Sequence, residues 1–392
     1  MLASRQDRTP SRQSRFDIAR HKRHHWHVVL VYLHIPFCHR VCPYCSFYKH
    51  TPGDTPIAAF IDALVLEARL RLQQIEEIPR TLFLGGGTPS MLSPTHLEKL
   101  FLGLQEVIDF SQLQEVSMEA NPATFDLAKA RLFRQLGIQR VSLGIQSFSD
   151  SVLQTLGREH NPEQACRAVE ILHAAEIPSV NIDLMFSIPG QSDEDWLHSL
   201  SQAIALQPHH ISAYNLTYEE DTAFFEQLLQ GKMIENPNRD ANHFELAHDS
   251  LTHAGFLHYE TSNYAKPGHE SLHNRGYWQG ESYLGLGPSA VSTLGNVRSK
   301  NIADTARYTE MIQSIGHATA EIESLSAEDL RLERIALGLR TTEGIAETLL
   351  DSTGIKRSQE LQDHDLLLHH EGRIVLTRKG SALVDSIASE LV

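Results

Sequence analysis

The stretch Tyr32–His50, YLHIPFCHRVCPYCSFYKH, places Cys38, Cys42 and Cys45 within eight residues, at spacings of four and three. A disulfide framework calls for an even number of cysteines, and a closed structural zinc site for four ligands. Three thiolates instead hold a metal centre that keeps one coordination position for something else. Such soft ligands suit zinc or an iron–sulfur cluster. Zinc could be completed by His34, His39 or His50. A four-iron cluster on three cysteines would leave one iron free to chelate a small molecule. The cysteines alone leave both readings open.

The loop follows an apolar, β-branched run, VVLVYLHI (28–35), and this is the first of six. RTLFLGGG, EVSMEAN, RVSLGIQSF, SVNIDLMF and HHISAYNLTYE are the others. Between them lie stretches with apolar residues at helical spacing, such as AAFIDALVLEARLRLQQI and PEQACRAVEILHAAE. Strands alternating with helices imply parallel pairing through right-handed crossovers. Six units predict an α/β architecture, an incomplete parallel (β/α)6 barrel. Each strand runs into polar residues or glycine: the cysteine loop, GGGTP, Glu119-Ala-Asn-Pro, Gln146-Ser-Phe, Asp183 and Asn215. Barrels of this kind carry their sites at those C-terminal strand ends.

The barrel pattern covers residues 28–232. Residues 233–321, rich in aromatics, glycine and polar side chains, read as an extension of it. From 322 to 392 a helix, a short β pair around Glu371-Gly372 and a final helix predict a small winged-helix-like α+β domain, expected to pack or to interact with partners. Residues 1–27 carry seven Arg or Lys against Asp7 and Asp17 and read as a disordered basic tail. Its histidine-rich end, HKRHHWH, reads as solvated. The net charge is −15, so the remainder stands near −20, which speaks against binding a phosphate backbone. No apolar run reaches the roughly 20 residues of a membrane span. Four cysteines in 392 residues, three of them clustered, are not a disulfide scaffold, and a reducing cytoplasm is expected.

CHRVCPYC resembles the cluster loop of the radical S-adenosylmethionine (SAM) superfamily. The resemblance implies a [4Fe–4S] cluster on Cys38, Cys42 and Cys45. Its open iron would bind the amino and carboxylate groups of SAM, and reduction would cleave SAM to a 5′-deoxyadenosyl radical. GGGTP (85–89) is similar to the family's glycine-rich SAM segment; it is no phosphate loop, because no Gly-Lys-Ser/Thr follows. Within the superfamily, YLHIPFC, MEANP, GIQSF, LGREH, NIDLM and LGLRTTEGI resemble the branch of oxygen-independent coproporphyrinogen oxidase and its relatives, from about Val28 to the C-terminus. That likeness implies Tyr32, Gly86 and Glu119 as contacts to cluster-bound SAM. Gly87, Thr88, Gln146, Arg158 and Asp183 would contact a second SAM. Carboxylates can hold ribose hydroxyls, and Arg158 can meet a carboxylate bidentately. The plainer alternatives are an Arg158–Asp183 ion pair and a strand-end cap at Glu119.

One departure narrows the resemblance. The oxidases have a further cysteine two residues beyond the third, where this chain has Phe47. The HemW group of haem chaperones shares that departure, and HNRGYW (273–278) resembles that group's HNxxYW signature. Haem as cargo, haem-accepting apoproteins and an electron donor are the partners implied, with nucleic acid excluded and membranes met only through recipients. His273, beside Tyr277 and Trp278, is the candidate axial haem ligand. The rival function is oxidative decarboxylation of coproporphyrinogen III; a zinc-stabilised binding module is a second. Cys166 reads as a core thiol, and the histidine pairs at 209–210 and 369–370 as structural or solvated.

Overall fold

Six strands, β1 (Val28–Ile35), β2 (Thr81–Gly86), β3 (Glu115–Ala120), β4 (Arg140–Gln146), β5 (Ser179–Phe186) and β6 (His210–Asn215), pair in that order, all parallel. The computed structural model describes residues 28–75 and 78–392. The basic tail and its histidine cluster lie outside the described residues. The helices between the strands are α1 (Ile57–Leu72), α2 (Pro94–Gln105), α3 (Leu127–Gln135), α4 (Asp150–Thr155), α5 (Pro162–Ala174) and α6 (Asp193–Ala205). Their starts are marked chemically. Ser93, Asp126, Asn161 and Ser192 each cap the first turn by accepting a backbone N–H.

Alternation along the strands decides what the barrel contains. Leu82 and Leu84, Val116 and Met118, Val141 and Leu143, Val180 and Ile182, and Ile211 all enter the main hydrophobic cluster. The intervening positions are Glu119, Arg140, Ser142, Asn181, Asp183, Ser212 and Tyr214, and these line a central cavity. Buried parallel strands normally read apolar on both faces. Here the inner face is polar, so the barrel encloses a site.

After α7 (Ala223–Leu229) and α8 (Pro237–His253) the chain returns to the sheet. β7 (Leu257–Glu260) and β8 (Asn263–Ala265) add antiparallel strands beside β6. α9 (Leu272–Trp278) comes next, and β9 (Ser282–Leu286) joins the far side of β1 in parallel. β10 (Val291–Leu294), β11 (Val297–Asn301) and, after α10 (Thr305–Ile315), β12 (Thr319–Ser324) continue that edge as an antiparallel meander. The result is one open twelve-stranded sheet whose two edges do not pair among the described residues. Residues 233–321 are therefore no separate layer: Phe244, Leu251, Leu286 and Tyr308 share the barrel's core. Buried Glu67 of α1 ties the two together, accepting hydrogen bonds from Gly287 N, Asn301 Nδ2 and Tyr308 Oη at 2.8, 2.7 and 2.6 Å.

The boundary expected at 322 falls inside β12. A second hydrophobic cluster, containing Ile335, Ile345, Leu361, Leu367, Ile374 and Ile387, begins on α11 (Ala327–Gly338). It joins α12 (Ser352–Asp363) and α14 (Val384–Leu391) to a three-stranded sheet of β13 (Ile345–Ala346), β14 (Leu367–His370) and β15 (Arg373–Leu376), with the short α13 (Arg378–Ser381) between β15 and α14. Glu371 and Gly372, both at positive φ, make the two-residue turn between the last two strands. No helix among the described residues is long and apolar enough to cross a membrane.

Candidate metal and cofactor site

The cysteine loop is closed at its neck. Cys38 N donates to His50 O at 3.0 Å and His50 N to Pro36 O at 2.9 Å. The glycine turn after β2 is bonded to the same neck, Gly87 N donating to Ile35 O at 2.8 Å and Thr88 N to Phe37 O at 2.7 Å. This close approach requires the glycine. A Cβ on Gly87 would stand 2.6 Å from Ile35 O and 2.7 Å from Phe37 O. Gly86 has φ +100°, and a Cβ there would meet the His34 ring at 2.4 Å.

Two sulfurs already have donors. Thr88 Oγ1 donates to Cys38 Sγ at 3.5 Å, and Arg158 Nη1 to Cys42 Sγ at 3.7 Å. Burial pushes the Cys38 and Cys45 thiols up, against the pull of the Thr88 hydrogen bond at Cys38 and of the Lys49 ammonium at Cys45. Of the histidines considered as zinc ligands, His34 is held between Tyr32 Oη and Tyr48 O at 3.0 and 2.7 Å. His50 is held between Thr305 Oγ1 and Thr51 O at 2.7 and 2.8 Å. Among the described residues, no three His, Cys, Asp or Glu side chains gather around a point where a single ion could sit. A cluster makes a different demand, because each thiolate binds a different iron and the ligands surround a volume. Three thiols on one loop, facing one cavity, fit that demand.

The cavity has a volume of about 790 Å³ and opens at the C-terminal strand ends. Tyr32, Gly86, Gly87, Thr88, Glu119, Gln146, Arg158 and Asp183 all line it together with the three cysteines. Glu119, half-buried on the cavity wall, accepts from Gly86 N at 3.0 Å; desolvation, then the neighbouring Asp183, push it up to about 8. Asp183 accepts from Ser142 Oγ at 2.9 Å and from Asn181 Nδ2 at 2.7 Å, and burial raises it as well. The ion pair weighed between Arg158 and Asp183 is not formed: Arg158 donates to Gly144 O and to Cys42 instead. Gln146 sits at φ 70°, beside a bulge in the β4–β5 pairing, an unusual conformation for a residue with a side chain. Arg140, Ser142, Asn181, Ser212 and Tyr214 also line the cavity. Motif matching missed them, although the two-residue alternation of β4, β5 and β6 marks them.

His273 is only 1% exposed. Its Nδ1 hydrogen-bonds with Thr81 Oγ1 at 2.7 Å and its Nε2 with Tyr277 Oη at 3.1 Å, while the ring stacks on Phe83 at 5.0 Å. The backbone N–H groups of Leu272 and His273 donate to the Glu115 carboxylate at 2.9 and 3.3 Å, and Arg140 Nη1 donates to His269 O at 3.1 Å. Thr81, Glu115 and Arg140 open β2, β3 and β4. The HNRGYW helix therefore plugs the N-terminal end of the barrel. Burial pushes the imidazole down to about 3, leaving it neutral, and both ring nitrogens are engaged, so a ligand role for His273 would require one of these hydrogen bonds to be given up at the cavity floor it lines. Trp278 stacks elsewhere, against the Arg340 guanidinium at 5.8 Å. Cys166 is partly buried against the main core, away from the cavity. His210 is a buried structural residue between Asn181 and Tyr259.

The radical SAM superfamily model matches residues 32–203. The haem chaperone HemW of Bacillus subtilis is 30% identical over 91% of this chain and 97% of its own length. That of Mycobacterium tuberculosis H37Rv is 34% identical over 92% and 94%. This chain belongs to the HemW family of radical SAM proteins. Radical SAM membership carries the family-level expectation of a [4Fe–4S] cluster and SAM. In fold the chain is similar to Escherichia coli coproporphyrinogen III oxidase (HemN), with a TM-score of 0.79 over 93% of this chain and 90% of that one, at 24% identity. That likeness places the HemW-family chain on the partial (β/α) barrel.

Proposed function

We propose that Cys38, Cys42 and Cys45 hold a [4Fe–4S] cluster, that SAM binds above the barrel, and that the protein binds haem and delivers it to haem-dependent proteins. The observation that carries this reading is the convergence of all eleven cysteine and SAM candidates on one cavity, on a chain with Phe47 where the oxidases have a further cysteine. When bound, the cluster supplies an electron for breaking the SAM C–S bond. The residues' own tasks follow from their chemistry. Thr88 and Arg158 orient and stabilise thiolates through their donors to sulfur. Glu119 and Asp183 offer carboxyl acceptors to ribose or amino groups, and Gly86 and Gly87 let the ligand approach the backbone. Arg158 and Gln146 stand together over Gly144, where a second carboxylate-bearing molecule can be held.

That second grouping favours one rival, decarboxylation of coproporphyrinogen III, so the deciding experiment pairs an anaerobic coproporphyrinogen turnover assay with a haem titration. Haem binding without protoporphyrinogen formation is the expected outcome; sustained turnover would overturn the chaperone reading. The C-terminal unit is read as a winged-helix-like interaction module for recipients, and a reducing cytoplasm, with an electron donor, as the setting.

A further inference from the structure

We propose that haem docks on the outer face of the cysteine loop, at the mouth of the barrel cavity, with His39 as its axial ligand and Phe47 as its apolar seat. The inference rests on the haem-binding reading above and assigns that reading a place. Phe47 is 65% exposed and Val41 47% exposed, and neither belongs to a hydrophobic cluster among the described residues. Phe47, the more exposed of the two, lines the cavity, where a flat apolar ligand would cover its ring. The His39 side chain is 50% exposed. Glu159 Oε2 lies 4.0 Å from its Nδ1, and its Nε2 has no hydrogen-bond partner among the described residues. His34, His50 and His273 are engaged at both ring nitrogens, which leaves His39 as the histidine of this region free to bind iron.

The charge fits as well. From Cys38 to Gly53 the chain carries Arg40 and Lys49 and no carboxylate, within a protein of net charge −15. Haem offers an iron open to an imidazole, an apolar disc for an aromatic ring and two carboxylates for cations. His39, Arg40, Phe47 and Lys49 all line the cavity mouth. This position would set the cargo beside the cluster, at the loop side of the cavity that the SAM candidates also line.

The test uses full-length protein with its cluster reconstituted anaerobically and its iron and sulfide measured. Ferric haem is added, and its ligation is followed by magnetic circular dichroism and electron paramagnetic resonance, which separate haem from the cluster. Wild-type protein should show imidazole ligation. His39→Ala should lose that signature, and Phe47→Ser, an exposed change that spares every cluster ligand, should weaken binding by about tenfold or more. His273→Ala should keep the wild-type haem spectrum. The inference fails if His39→Ala and Phe47→Ser, loaded with normal cluster, both bind haem as the wild type does, or if His273→Ala alone loses the ligation. A wild-type protein that binds no haem would instead overturn the reading on which the inference rests.

Discussion

The Glu119 carboxyl accepts the backbone N–H of Gly86 at 3.0 Å, tying the end of β3 to the glycine turn that ends β2. One carboxyl therefore braces the turn and faces the cavity at once. Replacing it with alanine removes a half-buried, charge-capable hydrogen-bonding group, a loss of about 1.5–3 kcal/mol. Glu119→Ala should thus weaken SAM binding by about tenfold to a hundredfold while leaving iron content unchanged, as read by equilibrium dialysis and iron analysis. Unaltered SAM affinity would reduce Glu119 to a brace.

The same residue predicts a pH dependence. Its folded pKa is about 8, against an ordinary value of 4.5, because burial and Asp183 both oppose ionisation. Between those values the unfolded chain has released the proton and the folded one still holds it. Stability contributed by the neutral group is complete at low pH and is lost as pH rises towards 8. Glu119→Gln, which cannot ionise, should gain stability relative to wild type as pH rises from about 5 to 8. Denaturant unfolding of the cluster-free proteins across that range checks it, and a pH-independent difference would contradict it.

Cluster loading gives the next test. Reconstituted protein should carry about four irons and four sulfides per chain. Alanine at Cys38, Cys42 or Cys45 should abolish this, and Cys166→Ala, on the barrel's outer helix, should not. A colourless protein with one tightly bound zinc would refute the cluster.

His273 should matter to stability first. Alanine there forfeits two buried hydrogen bonds and the stack on Phe83, and leaves a hole in the barrel floor. A loss of about 3 kcal/mol is expected in denaturant unfolding. A neutral result would mean that the plug is not what holds the barrel's lower end closed.

Gly87→Ala tests the joint between the glycine turn and the cysteine loop. With Ile35 O and Phe37 O both under 3 Å from the added carbon, the neck of the loop must shift. Cluster incorporation should fall at least severalfold relative to wild type under identical reconstitution, a cost of about 1 kcal/mol or more. Full loading would show that the loop neck can give way freely.

Much of this protein was determined locally and is therefore legible in its sequence. Six apolar runs separated by helical spacing dictate parallel β/α units, since the period of apolar residues chooses strand or helix before any tertiary contact exists. The spacing of Cys38, Cys42 and Cys45 and the polar ends of the strands likewise announced the site, because parallel strands bring all their C-terminal ends to one side. The expected second-ligand residues Gln146, Arg158 and Asp183 reached the same cavity by that rule. Tertiary structure decided the rest. No local pattern said that residues 257–265 would extend one edge of the sheet and 282–324 the other, for sheet edges are satisfied by whichever distant strand completes their hydrogen bonds. The role of His273 was likewise undecidable from HNRGYW. An imidazole is equally suited to iron and to two hydroxyls, and only the packing of α9 beneath Thr81 and Phe83 sets His273 between two hydroxyls. On the cysteine loop, at the other end of the strands, the fold leaves His39 half exposed beside Glu159, because no element packs its side chain between two partners.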